Sequence, residues 1–190
     1  IDQPWERETM SSLVAFIVDK HHAYTREALA TLPPLAAKVR DRHGARHDEL
    51  RQVEKRVHQL AIDLTPHMLK EEQVLFPYVM ALEEAVRRGK EPPIPFFGTA
   101  KNPVRMMMAE HEAAGEILVE IRTLTTDFTL PPEACVSFQA LYAGLLDIES
   151  DLHRHIHLEN NILFPRLIAV EENDGKTFGA AVGDHCCAHS

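Results

Sequence analysis

The chain has 190 residues, 45% of them hydrophobic and 26% charged, with a formal net charge of −9. That length suits a single domain with a core of its own, and the composition excludes intrinsic disorder as the default. The acidic balance argues against a nucleic-acid partner, which needs clustered Lys and Arg, and no apolar run approaches the roughly 20 residues of a membrane span.

The first predicted helix runs from about Glu8 to Val39, with Pro33-Pro34 expected to kink or break it. The second runs from about Asp48 to Arg88, with Pro77 as a late perturbation. Three prolines and a glycine between Lys90 and Asn102 mark a loop. A third helix opens near Pro103, a residue suited to a first helical turn, and continues to about Thr126. Leu130-Pro131-Pro132 separates it from a fourth, from Glu133 to about Glu171. No stretch alternates with period 2, so the fold class is all-α: an antiparallel up-down-up-down four-helix bundle over residues 1–172. The Gly-containing segment 173–190 reads as a flexible C-terminal tail. Ile1-Asp2-Gln3-Pro4 shows neither an initiator Met nor a secretion signal, so a fragment or a trimmed N-terminus is expected. Cys135, Cys186 and Cys187 are too few and too oddly spaced for a disulfide framework, which points to a cytoplasmic location.

Twelve histidines are the unusual entry in the composition. His22, His67, His111 and His155 fall one per helix, at separations of 45, 44 and 44 residues. The midpoints lie at Gly44-Ala45, Gly89 and Glu133, beside the expected turns, so the four can meet in one layer of the bundle. The second and fourth helices also share an ungapped repeat. His67-Met68-Leu69-Lys70-Glu71 through Leu75-Phe76-Pro77 aligns with His155-Ile156-His157-Leu158-Glu159 through Leu163-Phe164-Pro165. In each copy a His and a Glu four apart share a helix face. An imidazole ends on one metal, whereas a carboxylate has two oxygens and can bridge two. Burying two glutamates and four histidines without a cation would be costly. Mixed imidazole and carboxylate ligation suits iron first, then manganese or zinc.

These motifs, with His21-His22 and Glu110-His111-Glu112, resemble the hemerythrin-like (HHE cation-binding) domain. Ala109-Glu110-His111-Glu112-Ala113-Ala114-Gly115-Glu116, Pro131-Pro132-Glu133-Ala134-Cys135 and Leu158-Glu159-Asn160-Asn161-Ile162-Leu163-Phe164-Pro165 are similar to the repair-of-iron-centres branch, over about Ser11 to Ala169. The resemblance implies two non-haem iron ions, carboxylate- and oxo-bridged, that help restore iron–sulfur clusters damaged by nitric oxide or oxidants. It implies terminal ligands at His22, His43, His67, His111 and His155 and bridging carboxylates at Glu71 and Glu159. His21 is the rival for the first place. His43 lies 21 residues beyond His22, about 31 Å along a continuous helix. It reaches the layer only if the chain doubles back at Pro33-Pro34, whereas the midpoint argument puts it near the first turn. The partners implied are damaged iron–sulfur proteins or their scaffold, with NO or O2 as small ligands and a homodimer as an expected assembly. Full-length members carry an N-terminal module with a Cys-Cys pair that nothing here matches. The competing readings are reversible O2 or NO binding without iron donation, and a metal-free helical interaction module.

Smaller signals read more plainly. Glu72, Glu110, Glu112 and Glu116 look like a solvated acidic face, with an iron route as the rival. Phe76 and Phe164 are expected to wall the metal layer from water. His47, His58, His153 and His157 read as polar-face residues, and Cys186-Cys187 as chance cysteines in the tail.

Overall fold

The computed structural model describes the backbone of residues 5–182 and side chains through residue 173. Its described residues form helices and turns without a strand, arranged as four rods. The first rod joins α1 (Met10–Phe16), a π-helical turn (Ile17–His22) and α2 (Ala23–His43). The second joins α3 (Glu49–Lys70), a π-helical turn (Glu71–Leu75) and α4 (Phe76–Arg87). The third is α5 (Lys101–Leu124) alone. The fourth joins α6 (Val136–Leu158), a third π-helical turn (Glu159–Leu163) and α7 (Phe164–Val182). Rod α2 packs on α3 and α6, and α3 packs on α5. No described helix is long and apolar enough to cross a membrane.

Pro33 and Pro34 lie inside α2 without ending it, which corrects the expected break. Two backbone donors are lost there, at about 3 kcal/mol or more for an interior proline. Leu29, Leu32, Ala36 and Val39 are buried on both sides of the pair and hold the helix through it. Pro77 and Pro165 act differently. Each follows a phenylalanine directly after a π-helical turn. A proline at these places cannot donate to the carbonyl four residues back, and its ring crowds that carbonyl. The widened turn accommodates both defects. The fourth rod begins at Val136 rather than Glu133, because Cys135 is still extended at φ −76° and ψ 169°. Its helix runs on to Val182; residues 183–190, with Cys186 and Cys187, lie outside the described residues.

Two apolar clusters fill the bundle. One joins α2, α3, α5 and α6 and includes Val53, Leu60, Ile121, Phe138 and Ile148. The other joins α1, α4, α7 and the start of α5 and includes Leu13, Phe76, Met107 and Phe164. Carboxylates pin the second end together at helix N-termini, where free N–H groups attract anions. Glu83 of α4 accepts from Met10 N at 2.6 Å and Ser11 N at 2.9 Å. Glu171 of α7 accepts from Ala100 N at 2.9 Å and from the Tyr78 hydroxyl at 2.6 Å.

Candidate metal centre

Between the two apolar clusters lies a layer of buried polar groups. His22, His67, His111 and His155 are at most 4% exposed, and Glu71 and Glu159 are 0% exposed. Glu71 and Glu159 are the first residues of their π-helical turns, the two elements that the Phe-Pro repeat produces. The third such turn ends on His21-His22 and brings both imidazoles inside side by side.

The six residues form two overlapping sets of four. One is His22, Glu71, His155 and Glu159; the other is His67, Glu71, His111 and Glu159. In each set the ligand atoms lie within 4.8 Å of one another, and both carboxylates belong to both sets. His22 Nε2 is 3.1 Å from His155 Nε2, and His67 Nε2 is 3.0 Å from His111 Nε2. Glu71 Oε2 lies 3.4 Å from His22 Nε2 and 3.3 Å from His67 Nε2. Glu159 Oε1 and Oε2 lie 3.0 Å from His155 Nε2 and 3.2 Å from His111 Nε2.

The outer nitrogens fix which tautomer is present. His22 Nδ1 donates to Glu72 at 2.5 Å, and Glu72 is held in turn by Arg26. His67 Nδ1 donates to Glu110 at 2.8 Å, and Glu110 is held by Lys70. His111 Nδ1 donates to Asn160 Oδ1 at 3.0 Å. Those oxygens only accept, so three Nε2 atoms present lone pairs to the interior. His67 and His111 therefore direct two lone pairs at each other across 3.0 Å. A cation between the two resolves that repulsion.

The carboxylates give the same answer. Both Glu71 oxygens and Glu159 Oε2 are buried without a hydrogen-bond partner, and so is His155 Nδ1. Burial and the neighbouring Glu159 charge push the Glu71 carboxyl well above its ordinary value. Glu159 moves down against its own burial, because His155 and His111 surround it. The two carboxyls are thus driven apart, Glu71 towards its neutral form and Glu159 towards its charged form. Burial and the neighbouring imidazole lower His22 and His67 to about 4, keeping both neutral and able to ligate at pH 7. Burial opposes charge on His155 too, yet Glu159 draws it above the usual value. Orphaned carboxyl oxygens, the neutral imidazoles of His22 and His67 and apolar clusters on both sides of the layer all fit a metal.

Residues 14–167 match the hemerythrin HHE cation-binding domain. The chain belongs to the hemerythrin HHE cation-binding family. A Haemophilus influenzae protein named "Probable iron-sulfur cluster repair protein" is 36% identical over 167 residues, covering 88% of this chain and 69% of the relative. "Iron-sulfur cluster repair protein YtfE" of Yersinia pseudotuberculosis is 36% identical over 169 residues, covering 89% of this chain and 71% of its own length. A protein of the same name from Yersinia pestis matches with the same identity and coverage.

Within this HHE domain six of the seven expected ligands come together and His43 does not. α2 is continuous through Pro33-Pro34, so His43 ends that helix at the opposite end of the bundle, with Nε2 3.1 Å from Cys135 Sγ. His21 takes no place in either set. It donates from Nδ1 to Asp151 at 2.9 Å and stacks on His155 with centroids 5.6 Å apart. Phe76 stacks on His22 at 5.7 Å and Phe164 on His111 at 6.2 Å, so the repeat does wall the layer. Glu72 and Glu110 do not belong to a merely solvated face. Their signal in the sequence was direct adjacency to a ligand, as Glu71-Glu72 and Glu110-His111; Asn160 beside Glu159 repeats it.

Proposed function

We propose that the domain holds two iron ions and helps repair iron–sulfur clusters damaged by nitric oxide or oxidative stress. His22 and His155 would serve one ion, His67 and His111 the other, and Glu71 and Glu159 would bridge. The observation that carries this is the sharing of two fully buried carboxylates by both histidine pairs. The names of the relatives supply the repair role. Its partners would be damaged iron–sulfur proteins or their scaffold, with NO or O2 as small ligands, in the cytoplasm. Bound iron would supply redox chemistry and open positions for such ligands.

The chain's own residues do the rest. Glu72, Glu110 and Asn160 hold the Nδ1 protons, so each imidazole keeps its inner lone pair and its orientation. Glu71 gives up its carboxyl proton when a cation arrives, which ties loading to proton release. Phe76 and Phe164 keep water from the layer on one side. A surface cavity of about 850 Å3, lined by His111, Asn160, Arg105, Met108 and Glu112, reaches the layer from the α5–α6 side. It gives small ligands a way in.

Metal analysis with the optical spectrum tests the centre, using protein from iron-sufficient cells. About two irons per chain, lost with Glu71→Ala or Glu159→Ala, is the expected result. A single zinc indifferent to both substitutions would overturn it. Repair is tested by reactivating a nitric-oxide-damaged iron–sulfur dehydratase with the loaded protein. Reactivation with loss of iron from the domain supports donation. Nitric oxide binding with iron retained and no reactivation would instead establish a carrier or sensor.

A further inference from the structure

The bundle end opposite the metal layer carries a second cluster of reactive groups. Cys135 caps the N-terminus of α6, half-buried and free of any disulfide. His43, the last residue of α2, places Nε2 3.1 Å from Cys135 Sγ. A thiol with an imidazole at hydrogen-bond distance is the arrangement that activates a sulfur nucleophile. Phe138 ties the pair to its surroundings: its ring meets His43 at 5.2 Å, His47 at 5.6 Å and Tyr142 at 4.9 Å. Two of these neighbours, His47 and Tyr142, also line a cavity of about 520 Å3, together with Thr125, Thr126, Thr129 and Pro132 among others. His47 is fixed there between Glu49 at 3.0 Å and Glu133 at 3.2 Å. Tyr142 is only 4% exposed and lines this cavity. It offers a hydroxyl donor to a cavity of small-ligand size.

We propose that Cys135 and His43 form a thiol-exchange site that takes a low-molecular-weight disulfide, seating part of it in the cavity beside Tyr142 and His47. His43 accepts the Cys135 proton. The thiolate attacks one sulfur of the disulfide, a new S–S bond forms as the old one breaks, and the departing thiolate takes the proton from His43. One disulfide replaces another, so no further oxidant is needed. The surroundings favour the thiolate. Backbone N–H groups of Phe138 and then Ser137 lower the Cys135 thiol, with Arg42 adding to them against an opposing desolvation. Glu133 is engaged by His47 rather than by the sulfur. His43 is left free of the metal layer by the unbroken course of α2, which gives this histidine a role that ligation does not.

The test uses metal-loaded protein carrying Cys186→Ser and Cys187→Ser, so that Cys135 is the remaining thiol. Oxidised glutathione at pH 7 is expected to give one adduct by intact mass, with iodoacetamide alkylation rising at a pH below the ordinary thiol value of about 8.5. His43→Gln is expected to slow both reactions about tenfold and leave the metal content unchanged. Tyr142→Phe is expected to slow the glutathione reaction and leave alkylation as it was. An ordinary alkylation midpoint, indifference to His43→Gln, or no adduct would overturn the thiol site. Equal rates in Tyr142→Phe would overturn the cavity's part in it. Loss of metal with His43→Gln would overturn the separation of the two sites.

Discussion

Replacing Glu71 with methionine is expected to raise the stability of the metal-free domain and lower that of the loaded one. Glu71 is 0% exposed, both of its oxygens lack a partner, and its carboxyl is pushed towards the neutral form by burial and by Glu159. An unsatisfied buried polar group costs about 1–3 kcal/mol, and methionine fills a similar volume without that cost. A gain of about 2 kcal/mol in the metal-free state corresponds to a Tm higher by about 4–8 °C for a domain of this size. In the loaded state the order reverses. Metal at 100 to 1,000 times its Kd would stabilise the wild type by about 3–4 kcal/mol, and the variant would lack a carboxylate that both histidine pairs share. Differential scanning calorimetry with chelator and with added ferrous iron reads both arms. A metal-free Glu71→Met that melts below wild type would refute the reasoning, because Glu71 would then be earning stability from the protein alone.

Three further outcomes are expected. Glu110→Ala and Glu72→Ala should each weaken metal binding about 10–100-fold, measured by competition with a coloured chelator, with helix content unchanged. His67 has its folded pKa lowered to about 4 from 6.5, so its neutral form contributes stability above pH 6.5 that is lost as pH falls towards 4. Metal-free wild type should therefore lose on the order of 3 kcal/mol relative to His67→Gln between pH 7 and pH 4, read from urea unfolding at each pH. Gly115→Ala meets nothing within 4 Å and should gain about 1 kcal/mol of helix stability. Gly144→Ala should gain none, since its new Cβ lands 2.8 Å from Leu32 Cδ2; thermal melts compare the two.

The four-rod plan and the buried histidine layer were legible because antiparallel rods of equal length turn constant sequence separation into constant height. His22, His67, His111 and His155 obey that rule, and the H-x-x-x-E repeat supplied the carboxylates. Proline was harder to read. The same residue passes through α2 at Pro33 and Pro34 but widens the turn before Pro77 and Pro165. Packing on either side decides which, and packing is not a local property. His43 shows the converse lesson. Helix length alone put it far from the layer, and the midpoint argument agreed; only the family pattern drew it in. The pairing of Glu110 with His67 crosses from α5 to α3, and no local spacing encodes such a bond. The Cys135–His43 contact likewise joins residues 92 apart.

The polar layer also divides the interior. Apolar contacts on its two sides belong to separate clusters, and without a cation the groups between them repel or go unbonded. Such a seam weakens cooperativity: each half can open with little penalty to the other. Amide exchange in the metal-free domain is then expected in two tiers, with α1, α4 and α7 opening apart from the α2–α3–α6 end. Ions held there would join three of the four rods through His22, His67, Glu71, His155 and Glu159 and the remaining one at His111. Loading should merge the two tiers into one unfolding event, so the ions would act as the bolt that makes two half-bundles a single folding unit.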